Sequence, residues 1–192
     1  IVDSLVGSEM CIRDRHSGCP SLGGRDSSAV AIILRGGAFR SDGRWATSSC
    51  RDEKNKRVQL SVTESFVANV VEPFEQQCGA TVELFAFPAA TTRTDLDNCM
   101  SWLDLLSEKL GRDRLRLFQP CITTSQDDGV RQALRLFRRT ADVSVYSYIM
   151  MVRLDYTFTL PVIQWVDTDW SRFNFLSKCE RHCGLDLSLI HI

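Results

Sequence analysis

Four short apolar runs, at residues 29–34, 81–87, 114–118 and 143–154, alternate with three stretches of helical periodicity. That alternation limits the possible folds more than anything else in the chain. Strands joined by segments long enough to be crossover helices pair in parallel, and a parallel sheet needs cover on both faces. The order β-α-β-α-β-α-β therefore predicts an α/β fold: a mostly parallel sheet, helices on both faces, right-handed crossovers.

The last of these runs is the most suggestive. Tyr148-Ile149-Met150-Met151-Val152 leads straight into Arg153-Leu154-Asp155. A run without an outward polar face reads as a strand buried on both sides. In open α/β sheets chemistry collects beyond the carboxyl ends of such strands. Arg153 and Asp155 stand there, two residues apart and so on one side of an extended chain.

The helical segments carry their own punctuation. Residues 41–56 are charged and read as a solvated surface loop. Over 59–77 the apolar set Val62, Phe66, Val67, Val70, Val71 and Phe74 follows helical spacing, with Pro73 expected to kink or restart the helix and Gly79 to close it. The strand at 81–87 is expected to end at Pro88. Thr94 or Asp95 would cap the next helix, whose apolar face is Cys99 or Met100, Leu103, Leu106 and Leu110, and Gly111 would stop it. Ser125 and Asp128 form a capping-box start for a third helix with Val130, Ala133, Leu134 and Phe137 on its apolar face. Arg138 and Arg139 complement its C-terminal dipole.

Both ends of the chain resemble something other than native protein. Read back into codons, residues 4–15 match a transposase mosaic-end sequencing adapter with its primer, and residues 187–192 match the reverse complement of the same mosaic end. Segments 1–15 and 187–192 are therefore set aside from fold reasoning. Residues 16–28, rich in Gly, Ser and Pro, read as loop or linker, leaving 29–186 as one α/β domain expected to be incomplete at its C-terminus.

Composition narrows the class further. A formal net charge of -1 supplies no basic patch for nucleic acid. No apolar run approaches the roughly 20 residues of a membrane span, so no membrane anchor is visible. Of the eight cysteines, Cys11 lies in the adapter-like stretch. The others are scattered without a C-x-x-C pair and read first as buried free thiols. One or two disulfides in a lumenal setting are the alternative. Cys179, His182 and Cys183 lack partners for a four-ligand zinc site and read as a helix with two thiols on one face. No Ser-His-Asp or Cys-His set can be assembled.

Two places carry candidate chemistry. The first strand exits through Arg35-Gly36-Gly37-Ala38-Phe39-Arg40, where glycines permit a tight turn and close approach, and Arg35 and Arg40 flank them. This is neither G-x-G-x-x-G nor a P-loop. It is either a plain strand exit or a phosphate contact made by Arg35, Gly36, Gly37 and Arg40. At the other strand end, Asp155 can hold a hard divalent cation such as Mn2+ or Mg2+, while Arg153 orients that carboxylate or neutralises phosphate. The literal D-x-D at Asp167-Thr168-Asp169 is a second choice for the metal. Trp165, Trp170, Phe173 and Phe175 either line a groove for sugar or base or belong to the core.

The arrangement over 29–155, with its Arg-x-Asp after an apolar strand, resembles the nucleotide-sugar glycosyltransferases of the GT-A type. It is also similar to uncharacterised algal or protist proteins with an R-G-x-x-F-R strand exit and a D-x-S-R-x-N-F segment, here 35–40 and 169–175. The resemblance implies a Rossmann-like, GT-A-like domain, truncated before its acceptor-binding half. It also implies metal-assisted transfer from a nucleotide-sugar donor to an unknown acceptor, in the Golgi or ER lumen. Where the family's strict motif has its first acid, this chain has Arg153. A non-catalytic α/β module that binds a ligand or partner is the rival expectation.

Overall fold

Ala29–Gly37 forms the central strand, β1, and everything else is arranged about it. The computed structural model describes residues 19, 29–38, 50 and 52–165. In chain order after β1 come α1 (Glu53–Phe66), β2 (Thr81–Ala90), α2 (Arg93–Leu110), β3 (Leu115–Phe118), the two-residue β4 (Cys121–Ile122), α3 (Gln126–Thr140) and β5 (Tyr146–Arg153). The strand order is β3-β2-β1-β5, with β4 also on β2, and every described strand pair is parallel. The expected α/β class and parallel sheet are thus found.

Alternate residues of β1 face two separate cores. Val30, Ile32 and Leu34 pack with Phe66, Val70 and Phe74 and with Leu103, Leu106 and Leu110 of α2. Ala31 and Ile33 pack with Phe85, Phe87, Ala133 and Phe137, under α3. One face therefore carries α1 and α2, and the other carries α3. The chain steps from β1 to β2 to β3 in one direction and returns to the far side of β1 for β5. A crossover of unchanged hand that travels the opposite way must cross the opposite face, which is where α3 lies.

Several local expectations are corrected. The strand buried on both sides is β1, whose Val30 to Leu34 are all buried. In β5 only Val152 is buried and the rest is half-buried, at the end of the strand order. An apolar run shows that a strand is covered without telling where in the sheet it stands. The charged segment around Glu53 to Lys56 is the first turn of α1. Asp52 caps it by accepting from Lys54 N at 2.8 Å. Lys56 is only 8% exposed, its stem laid so that Nζ sits 4.0 Å from the Trp102 ring centroid, as long cationic side chains can do.

Pro73 stands at the first position of a new helical segment, the restart expected of it. The chain runs on through two π-helical segments, Val67–Val71 and Pro73–Gln77, and ends at Gly79, whose φ is +63°. Pro88 does not end β2. Leu84 N donates to Arg114 O, Gln119 N to Ala86 O and Thr123 N to Ala90 O. On that side of β2 the proline nitrogen falls in the gap between β3 and β4, where a donor is least missed. The α2 cap is Thr92, two residues before Thr94 and three before Asp95, accepting from Asp95 N at 3.1 Å. The α3 cap is Ser125, as its sequence indicates. Gly111 closes α2 at φ +90°.

The reading of free thiols is overturned for four cysteines. Disulfides join Cys19 to Cys78 and Cys50 to Cys99. Cys121 is a buried free thiol, pushed to a higher pKa by burial and then by Asp128. No described helix is long and apolar enough to cross a membrane.

Candidate anion cleft

In a parallel sheet all strands end on the same side, so the C-terminal ends of β1, β2, β4 and β5 lie together. There they enclose a cleft of about 50 Å³ lined by the β1 exit, the β2 end, the start of α3 and Arg153. It opens beside the place where the strand order reverses, between β1 and β5. Such a reversal splays the flanking loops apart and leaves a crevice.

Arg35, Gly36, Gly37 and Arg153, four of the sequence-derived candidates, come together in this cleft. Arg35 and Arg153 are register partners on neighbouring strands. Gly36 turns with φ +102°, a conformation that a side chain would strain, and a Cβ there would meet nothing within 4 Å. Arg35 Nε is buried and has no hydrogen-bond partner among the described residues. Burial, then the neighbouring Arg153, lowers the pKa of Arg35, against smaller opposite effects of Tyr156 and Asp155. Arginine nonetheless stays charged.

Asp155 is held by Arg153. Arg153 Nε donates to its Oδ1 at 2.8 Å and Nη2 donates to Oδ2, a two-point clamp between groups about one-fifth exposed. This hydrogen bonding raises the pKa of Arg153 against the effect of its own burial. Both carboxylate oxygens therefore face a guanidinium. Among the described residues no group of three or more His, Cys, Asp or Glu side chains gathers to hold a metal. Arg40, Asp167, Asp169, Trp170, Phe173, Phe175, Cys179, His182 and Cys183 lie outside the described residues. Trp165 stacks on Phe158, with centroids 6.0 Å apart, and packs on the core.

The β5 exit is held from beneath by polar groups of the α1 face. Gln59 Nε2 donates to Leu154 O at 2.8 Å, Asn69 Nδ2 to Phe158 O at 2.8 Å, and Phe158 N to Ser65 Oγ at 3.2 Å. Gln59 is 3% exposed, so this bond is made out of water. Asn69 sits in the first π-helical segment, which is how a residue one turn past α1 reaches the same exit segment.

The other wall was not anticipated from the sequence. Thr91 follows β2, Thr123 follows β4, and Ser125, Gln126 and Gly129 open α3. The strand-end rule alone could have found the first two. Ser125 was legible only as a helix cap.

No protein family, curated protein or solved structure matches the chain. Fold and cleft define a parallel α/β domain with two guanidiniums at the crevice where its strand order reverses.

Proposed function

We propose that the chain is the Rossmann-like, GT-A-like nucleotide-binding half of a glycosyltransferase, taking the diphosphate of a nucleotide-sugar donor in this cleft. The observation that carries the reading is the placement of Arg35 opposite Arg153. Two adjacent guanidiniums suit a phosphate oxyanion. The strand order β3-β2-β1-β5 matches one half of the dinucleotide-binding arrangement. Two disulfides are what a protein of the secretory lumen would carry. Arg35 and Arg153 would hold the diphosphate, with Gly36 and Gly37 letting the backbone approach it.

A second reading is favoured by the clamp on Asp155. A carboxylate already engaged by Arg153 is poorly prepared to hold a cation, which fits a module that binds a phosphorylated ligand without transfer chemistry. Calorimetric titration of the full chain with nucleoside mono- and diphosphates and nucleotide sugars, with and without chelator, tests both. Tighter binding of diphosphates than monophosphates is expected. Turnover of a nucleotide sugar would select the transferase over the binding module. Absence of binding to every phosphate compound would sink both.

A further inference from the structure

Gly129 stands inside α3 where neither backbone nor packing calls for glycine. Gly36, Gly79 and Gly111 have positive φ, which accounts for them, whereas Gly129 does not. A Cβ at Gly129 would meet Thr123 Cγ2 at 3.6 Å, an ordinary contact, and nothing closer. Its own N–H is taken by Ser125 O at 3.1 Å, so the residue offers space and not a donor. Glycine weakens a helix interior relative to alanine. Yet this one lines the cleft that holds Arg35 and Arg153.

We infer that Gly129 is the point where a phosphoryl group of the ligand lies directly against the α3 backbone, which makes it a position that sets the size of group accepted. The inference rests on the phosphate-binding reading of the same cleft. A ligand seated there spans from the two guanidiniums to the first turns of α3. The cleft volume of about 50 Å³ corresponds to roughly four water-sized probes. That is room for a tetrahedral oxyanion, with any nucleoside lying outside. Arg35 and Arg153, which line the same cleft, supply the positive charge that such an oxyanion needs.

The test uses the full chain and its Gly129→Ala variant, with inorganic phosphate and pyrophosphate as probes. The variant is expected to melt at the same temperature as the parent or higher without ligand, and to bind pyrophosphate at least tenfold more weakly. Binding within twofold of the parent overturns the inference and leaves the phosphate reading intact. A lower melting temperature, or failure to fold, also overturns it, because packing would then require the glycine. If the parent chain binds neither probe, the phosphate reading itself fails and takes this inference with it.

Discussion

Arg35 of β1 lies directly opposite Arg153 of β5, and the backbone locks them there, with Leu154 N donating to Arg35 O at 2.9 Å. The two are not equivalent. Arg153 is clamped by Asp155, while Arg35 holds its charge beside another cation with a buried N–H unsatisfied. Such an arrangement costs stability in the free protein, and on the proposed phosphate reading an anion would offset it. Ligand affinity and fold stability should therefore trade against each other at this position.

Arg35→Met tests that trade. It keeps the apolar stem and removes the unsatisfied donor and the repulsion with Arg153. The free protein is expected to gain about 1 kcal/mol, the lower end of the cost of a buried unsatisfied group. Pyrophosphate affinity should fall at least tenfold. Denaturant melts and calorimetry measure both, and a destabilised variant with normal binding would refute the assignment.

Asp155→Ala separates a positioning carboxylate from a metal ligand. Removing one partner of a half-buried clamp leaves Arg153 as a second uncompensated charge beside Arg35. A loss of about 2 kcal/mol is expected, below the range for fully buried pairs because both groups keep some solvent. In the parent chain, binding of pyrophosphate should survive chelator unchanged. Binding that vanishes with chelator and returns with Mn2+ would restore Asp155 to the metal role.

At the opposite end of the sheet, Glu83 accepts from the Tyr146 hydroxyl and from Arg116, at 2.5 Å each. Burial alone would raise the Glu83 pKa, but the hydrogen bonds from Arg116 and Tyr146 outweigh it and the net shift is downward. Burial, then Glu83, pushes the Tyr146 phenol up. A carboxylate with a depressed folded pKa adds stability that is fully present above its unfolded value, about 4.3, and is lost as pH falls through the folded one. The stability gap between the parent and Glu83→Gln should therefore close as the pH falls below about 4.3. Tyr146→Phe should cost about 1 kcal/mol near neutrality. A gap that stays constant with pH would show that Glu83 acts only through packing.

Much of this architecture was legible in the chain, and the reasons for the rest are physical. Element order followed from periodicity, and Ser125, Gly79 and Gly111 marked helix ends because caps and left-handed turns are local chemistry. Half of the cleft was legible too, since Arg35, Gly36, Gly37 and Arg153 each sit at the end of a recognisable strand. The α3 wall was not, because Thr123 and Gly129 join the site only once α3 has crossed to the other face. Lateral strand order is equally invisible, so β5 reads as buried on both faces although β1 is the strand that is. Pro88 misled because its missing donor matters only if a neighbour is there to receive it.

Cysteine pairing depends on distances that sequence separation does not report. Cys19 and Cys78 bring their Cα atoms to 5.2 Å, and Cys50 and Cys99 to 5.5 Å, across separations of 59 and 49 residues. Both spacings are ordinary for disulfides. Loops of that size restrict the unfolded chain strongly, and each bond is expected to contribute about 2–4 kcal/mol. Cys50→Ser with Cys99→Ser should therefore lower stability by that amount and leave the second bridge intact. Peptide mapping under non-reducing conditions should recover the Cys19–Cys78 and Cys50–Cys99 pairs, with Cys121 reacting with a thiol reagent only after denaturation, since burial keeps it from solvent and raises its pKa. Reductant should lower the melting temperature of the parent and leave that of a variant lacking all four paired cysteines unchanged. Four additional thiols titrating in the denatured, non-reduced parent would mean the bridges are not formed, and the support they lend to a lumenal protein would go with them.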